Sequence, residues 1–185
     1  MILSLLFHVF SLLNAQDVKQ HSVALIPYPV TLVEGEGAFV FSEKTVVALE
    51  DKELEPIARD FVELFTEPAG FTPKLKVKSK KGEVYLMKDD SFQEEGYALE
   101  VTPEKIVVKA AGVKGAFYAL QTLRQLLPSD IEGNECKPDV IWKVPSVRVT
   151  DEPRFGYRGL MVDVARYFIT KEHLMRIIDT MGMLK

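Results

Sequence analysis

"PRFGYRGLMVDVARYF", residues 153–168, sets three arginines and an aspartate around an apolar run near the C-terminal end of a 185-residue sequence. Its middle, "YRGLMVDV" at 157–164, is too apolar for a loop and is built from residues that suit a strand. Behind it, Leu174, Ile177, Ile178, Met181 and Leu184 recur at helical intervals after Thr170, a residue suited to an N-cap. Residues 157–184 therefore predict a strand, a short loop and a helix. One such βα unit cannot bury its own faces, because a strand this apolar belongs inside a parallel sheet flanked by further units.

Upstream, the patterning predicts a complete layer. In "LIPYPVTLVEGEGAFVF" two prolines fix extended backbone, and β-branched and aromatic residues flank the turn-like "EGEG". Val30 to Val33 and Ala38 to Phe41 read as a hairpin, with a further strand over 45–50. Leu54, Ile57, Phe61, Leu64 and Phe65 then fall at helical spacing, with Pro68 and Gly70 as the stop. Strands follow at 74–79, 83–87, 96–101 and 105–110, the last two pairing across a turn at 102–104. A second amphipathic helix, "GVKGAFYALQTLRQLLP", carries Ala116, Leu120, Leu123 and Leu127 on one stripe and stops at Pro128. The fold class expected is α+β: a mixed or antiparallel sheet with two helices on one face over residues 16–128, its core from residue 23. Residues 129–150, rich in turn formers and charge, read as an ordered linker, and 151–185 as the βα unit. Trp142 packs that linker against a neighbouring layer, or stacks on a sugar.

Composition limits the function. Hydrophobic residues make up 47% and charged residues 27%, as in an ordinary globular protein. With 23 Lys plus Arg against 27 Asp plus Glu, the net charge of -4 leaves no basic surplus for phosphates, so nucleic acid is not an expected partner. The single cysteine, Cys136, lacks any CxxC or histidine neighbour and reads as a passive thiol, so zinc, other metals and redox cofactors are not expected. "MILSLLFHVFSLLNA", residues 1–15, is too short and too briefly apolar to span a bilayer and reads as a secretory leader or as a buried N-terminal helix. The leader reading places the mature chain, from about Gln16, in the periplasm or outside the cell.

The opening stretch resembles the start of the catalytic barrel of glycoside hydrolase family 20, the β-N-acetylhexosaminidases, whose usual form is close to P-R-F-x-Y-R-G-x-M-x-D-x-x-R-H-F. "LIPYPVTLVEGEGAFVF" resembles the opening of that family's N-terminal α+β domain, and "GVKGAFYALQTLRQLLP" the helix that ends it. The resemblance implies removal of terminal β-linked N-acetylglucosamine or N-acetylgalactosamine from glycans and chitooligosaccharides. The substrate's own acetamido oxygen acts as nucleophile, the exception to the two-carboxylate scheme, and no cofactor takes part. An adjacent Asp-Glu pair orients the acetamide and protonates the leaving oxygen, and the resemblance puts it on a later strand of a (β/α)8 barrel, beyond residue 185. The chain is thus expected to hold the N-terminal domain and the first βα unit, and to be inactive alone.

Arg158 matches the family arginine that holds ring hydroxyls at the bottom of the sugar pocket; a guanidinium's fixed fork suits two vicinal oxygens. Asp163 and Arg166 match the family's aspartate and second arginine. They either support the pocket as charges or form a buried ion pair that pins strand to loop. Tyr167 stands where the family commonly has histidine. His8, His21 and His173 offer no catalyst. The rival expectation is a stand-alone carbohydrate-binding or scaffolding module, which requires an exposed aromatic platform. Tyr28, Tyr85, Tyr97 and Tyr118 are its candidates, and their positions in strands and a helix point to core packing instead.

Overall fold

The computed structural model describes residues 23–185; the leader-like stretch 1–15 and the histidines at 8 and 21 lie outside the described residues. Seven strands form one sheet: β1 Thr31–Val40, β2 Val46–Leu49, β3 Lys74–Val77, β4 Val84–Lys88, β5 Tyr97–Val101, β6 Ile106–Ala110 and β7 Lys143–Asp151. Their order is β1-β7-β5-β6-β4-β2-β3. β1, β7, β5 and β6 pair antiparallel, whereas β6, β4, β2 and β3 run parallel, so the sheet is mixed. The expected β5–β6 hairpin forms, with Val101 opposite Ile106.

Helices α1, Glu55–Glu63, and α3, Val113–Leu126, cover one face of this sheet, and the short α2, Thr66–Ala69, follows α1. Pro56 sits in the first turn of α1, where a missing N–H breaks no intrahelical bond. The chain leaves α2 through Gly70 at φ 71°, a left-handed conformation that favours glycine. Leu54, Phe61 and Phe65 are buried from the α1 side, and Ala116, Leu120, Leu123 and Leu127 from the α3 side. Phe65 is the centre of an aromatic cluster, its ring 4.8 Å from Phe41, 5.8 Å from Phe61 and Phe71, and 6.2 Å from Trp142. Trp142 is buried there, as core packing requires. Full burial of a side chain of this size contributes about 1.5–3 kcal/mol.

Three expectations are corrected. Val30 to Phe41 is not a hairpin: β1 is one strand, and both its halves pair with β7, with a register shift between Glu34 and Ala38. Gly37, at φ 83°, gives a bulge here, and glycine-rich sequence supports a bulge as readily as a turn. Residues 129–150 are not a linker throughout. After a 3-10 turn at Ser129–Glu132, residues 143–151 form β7, which sits between β1 and β5 and completes the sheet. Pro145 obscures the strand's alternation, yet it lies beside the register shift, where a missing donor is tolerated. Residues 157–164 form no strand. Tyr157 is 88% and Met161 91% exposed, and the segment has no neighbouring strand to hydrogen-bond with among the described residues. A parallel strand takes its stability from partners on both edges and cover on both faces. The helix behind it does form, as α4, Lys171–Leu184, with the Thr170 hydroxyl accepting from the His173 N–H at 3.3 Å.

α3 packs tightly at Gly115, where an added Cβ would lie 2.3 Å from the Gly96 carbonyl oxygen and 3.1 Å from the Ala110 Cβ. Alanine raises helix propensity by about 1 kcal/mol in an exposed helix. Here Gly115→Ala is expected to destabilise the fold instead, by about 1–3 kcal/mol through overpacking, read as a lower urea midpoint; an unchanged or higher midpoint would show that α3 can move away freely.

Candidate functional site

Two cations on the C-terminal segment turn back onto the α+β layer. The Arg158 guanidinium donates from Nη1 and Nη2 to Glu95 Oε2, each at 3.2 Å. Nη2 also donates to the Tyr118 hydroxyl at 2.8 Å and Nη1 to the Phe155 carbonyl at 2.6 Å. Nε donates to the Lys185 carbonyl at 3.3 Å, and the guanidinium carbon stands 5.6 Å from the Tyr118 ring centroid. Glu95 occupies the loop before β5, and Tyr118 lies on α3. The Glu95 carboxylate holds the Arg158 pKa above the ordinary arginine value, outweighing partial burial.

Lys185 is the deeper cation, with a side chain only 8% exposed. Its Nζ donates to the Tyr97 hydroxyl at 2.7 Å and to Asp151 Oδ2 at 3.0 Å. Burial pushes the ammonium below the usual lysine range against the opposing pull of Asp151. Tyr97 also donates to Asp151 Oδ2 at 3.1 Å and lies 2.6 Å from the Thr122 hydroxyl. Burial raises this phenol well above the ordinary tyrosine range. Asp151 Oδ1 accepts from the Val30 N–H at 3.2 Å, so the end of β7 gathers three elements.

The two clusters share a cavity of about 400 Å³ whose walls include Tyr28, Val30, Pro153 and Phe155 besides the charged groups. Apolar walls with a few convergent polar groups are the usual form of a small-molecule site.

Of the residues singled out in the sequence, Arg158 lies in this cavity, and Asp163 and Arg166 do not line it. Asp163 Oδ1 accepts from the backbone N–H groups of Ala165 and Arg166, closing a local turn, and Arg166 Nε lies 3.5 Å from Asp163 Oδ2. The Arg166 side chain is 91% exposed, so the buried form of this ion pair is corrected: the pair exists at the surface. Tyr167 is exposed. Tyr85 and Tyr97 are buried, Tyr118 is half-buried and Tyr28 exposed. Glu95, Asp151 and Lys185 carried no sequence signal: each belongs to no motif, and a partner of each in the cavity lies 34 to 88 residues away in the chain. Among the described residues no cluster of His, Cys, Asp and Glu could hold a metal, and no helix is long and apolar enough to cross a membrane.

The chain thus runs from a mixed α+β layer into an arginine-bearing segment and a helix. Residues 22–152 match the model of glycosyl hydrolase family 20, domain 2, and residues 155–185 that of the family's catalytic domain. The chain belongs to glycosyl hydrolase family 20. It is 33% identical over 169 residues to a β-hexosaminidase of Porphyromonas gingivalis, covering 88% of this chain and 21% of that protein. A β-N-acetylhexosaminidase of Cellulomonas fimi is 30% identical, over 88% of this chain and 33% of its own length. The solved N-acetyl-β-hexosaminidase of Streptomyces plicatus superposes with a TM-score of 0.79 at 26% identity, over 86% of this chain and 32% of that one. The chain thus spans about a fifth to a third of the proteins it resembles.

The raised Tyr97 pKa has a pH signature. Above pH 10 unfolded tyrosine loses its proton while folded Tyr97 keeps it, so the folded state binds more protons and stability falls as pH rises. Tyr97→Phe is expected to be about 1–2 kcal/mol less stable at pH 7, having lost its hydrogen bonds, with a gap to the parent that narrows between pH 10 and 12. Thermal melts across that range test this; a constant gap would place Tyr97 in contact with solvent.

Proposed function

We propose that this chain is the N-terminal portion of a retaining β-N-acetylhexosaminidase that removes terminal β-linked N-acetylglucosamine or N-acetylgalactosamine from glycoconjugates. The observation that carries the reading is the catalytic-domain match at residues 155–185, directly behind an α+β domain matched from end to end. Relatives named β-hexosaminidase support it, as does the Streptomyces plicatus enzyme solved with N-acetylglucosamine as product.

In this reading residues 155–185 are the first βα unit of a (β/α)8 barrel, and 157–164 takes strand form only beside further barrel strands. Arg158 supplies a planar fork of donors for two vicinal hydroxyls of the terminal sugar, which orients the ring for attack by its own acetamido oxygen. Asp163 and Arg166 act behind it as supporting charges. Protonation of the leaving oxygen falls to the family's Asp-Glu pair on a later strand, so residues 1–185 alone are inactive. The leader-like sequence of residues 1–15 supports a reading in which the protein is exported to the periplasm or outside the cell.

The binding-module reading has less behind it, since Tyr85 and Tyr97 are taken up by packing and cannot present a platform. The 185-residue chain is expected to leave a chromogenic β-N-acetylglucosaminide intact and to give no saturable heat with low-millimolar N-acetylglucosamine. The same chain, extended by its downstream coding sequence to family length, is expected to hydrolyse the substrate. Hydrolysis by the short chain would mean that its catalytic acid lies within these residues, and an inactive extended protein would sink the hexosaminidase reading.

A further inference from the structure

Residues 74–82, "KLKVKSKKG", hold five lysines and no Asp or Glu in a chain whose net charge is -4. They form β3 and the turn behind it, and among the described residues β3 is an edge of the sheet, paired on one side only, with β2. Leu75 and Val77 pack against the core, so alternation turns Lys74 and Lys76 to the open face, away from the helices. The same face holds Tyr85, since Ala48 pairs with Lys76 on one side and with Tyr85 on the other. Lys105, just before β6, stands with its Nζ 5.3 Å from the Tyr85 ring centroid. Lys78 leaves the strand at φ 54°, a left-handed conformation uncommon for lysine, and with Lys52 and Lys80 it lines a hollow of about 380 Å³ at the carboxyl ends of β2 and β3. The carboxylates beside these lysines are engaged: Glu50 with Lys80 at 2.9 Å, Asp51 with the Glu53 N–H at 3.0 Å, and Glu83 with the Val46 N–H at 2.8 Å. Lys74, Lys76 and Lys78 are exposed and have no ion pair among the described residues.

We propose that this basic face is a docking track for a linear anionic glycan, one that carries sulfate or carboxylate groups. Alternate residues of a strand lie about 6.6 Å apart, so the ammonium groups form a row. Each is a flexible, strongly hydrated point charge, which suits a chain of anions met one after another better than one anion gripped from two sides. Lysines on an edge strand also keep it from pairing with a second sheet. That duty ends at the edge, whereas Lys80, Lys81 and Lys105 carry positive charge onto the turn and across to β6. A membrane surface takes up apolar side chains, and single-stranded nucleic acid stacks on exposed rings. Among the described residues no exposed large apolar side chain lies between positions 41 and 112, and Tyr85 is 7% exposed. That the polymer is a glycan rests further on the proposed hexosaminidase function; the track itself rests on the charges.

Heparin oligosaccharide, a linear glycan of sulfates and uronates, is the probe. At pH 7 and low salt the 185-residue chain is expected to bind it saturably, with an affinity that falls as NaCl rises at a log–log slope of about -2 to -3, as about three ionic contacts require. Lys74→Gln/Lys76→Gln/Lys78→Asn should weaken binding about tenfold and flatten that slope; asparagine accepts the left-handed backbone at 78. Lys105→Gln, outside β3, should weaken it about two- to threefold. Lys114→Gln/Lys137→Gln/Lys143→Gln, which removes as much charge from exposed lysines elsewhere, should leave the affinity within about twofold. Unchanged thermal midpoints show that the variants remain folded. An absence of saturable binding by the parent, which would leave edge protection as the lysines' whole role, or an equal loss in both triple variants, would overturn the track. Tighter binding to duplex DNA or to phosphatidylserine vesicles than to heparin would overturn the glycan as its occupant. None of these readouts uses catalysis, so an extended protein that hydrolyses nothing sinks the hexosaminidase reading while heparin binding still decides the track.

Discussion

The pairing of β7 with β1 on one edge and β5 on the other is the constraint on which the architecture depends. Without it β1 has no partner among the described residues, where its one neighbour in the sheet is β7. It also fixes where the rest of the chain can go. β7 ends at Asp151, opposite Tyr97 of β5, and that carboxylate collects the Val30 N–H, the Tyr97 hydroxyl and the Lys185 ammonium. A backbone register therefore sets the position of the ionic contacts that hold the C-terminal segment.

Periodicity made the middle of the chain legible. The stripes of α1 and α3, the β5–β6 hairpin and the Thr170 cap all follow from local spacing, and local spacing is what helices and hairpins are made of. The misreadings share the opposite origin. β7 pairs with strands whose residues lie about 50 and 110 positions earlier, Val149 standing opposite Leu99 and Leu32, and no local feature announces such partners. The "EGEG" stretch has the glycines of a turn, but the pairing of both flanks with β7 makes it a bulge. Apolarity at 157–164 suits a strand, although a strand needs a neighbour to pair with in order to exist.

The candidate site was half legible for the same reason. Arg158 stands out because it sits in a dense motif, and Asp163 and Arg166 with it. Their separation in the structure comes from geometry: Asp163 caps its own local turn, whereas Arg158 reaches across to Glu95 and Tyr118. The positions of Tyr97 and Tyr118 point to packing, which holds for the ring of Tyr97; the hydroxyls of both have a second use as partners for cations.

The attachment of the C-terminal segment inverts the usual division of labour in a fold. None of the residues of α4 is buried, and Leu160, Met161 and Ile178 are exposed, so apolar contact contributes little to holding it. The holding contacts are polar: Gln125 to the Met183 carbonyl, Lys185 to Asp151 and Tyr97, and Arg158 to Glu95 and Tyr118. The two cations are not equivalent. Burial lowers the Lys185 pKa, whereas Arg158 stays charged at any pH the fold survives, because guanidinium is both more basic and less strongly hydrated. A buried ion pair returns only part of its desolvation cost, and a half-exposed one gains little over water. Contacts of this kind fix orientation more than they add stability.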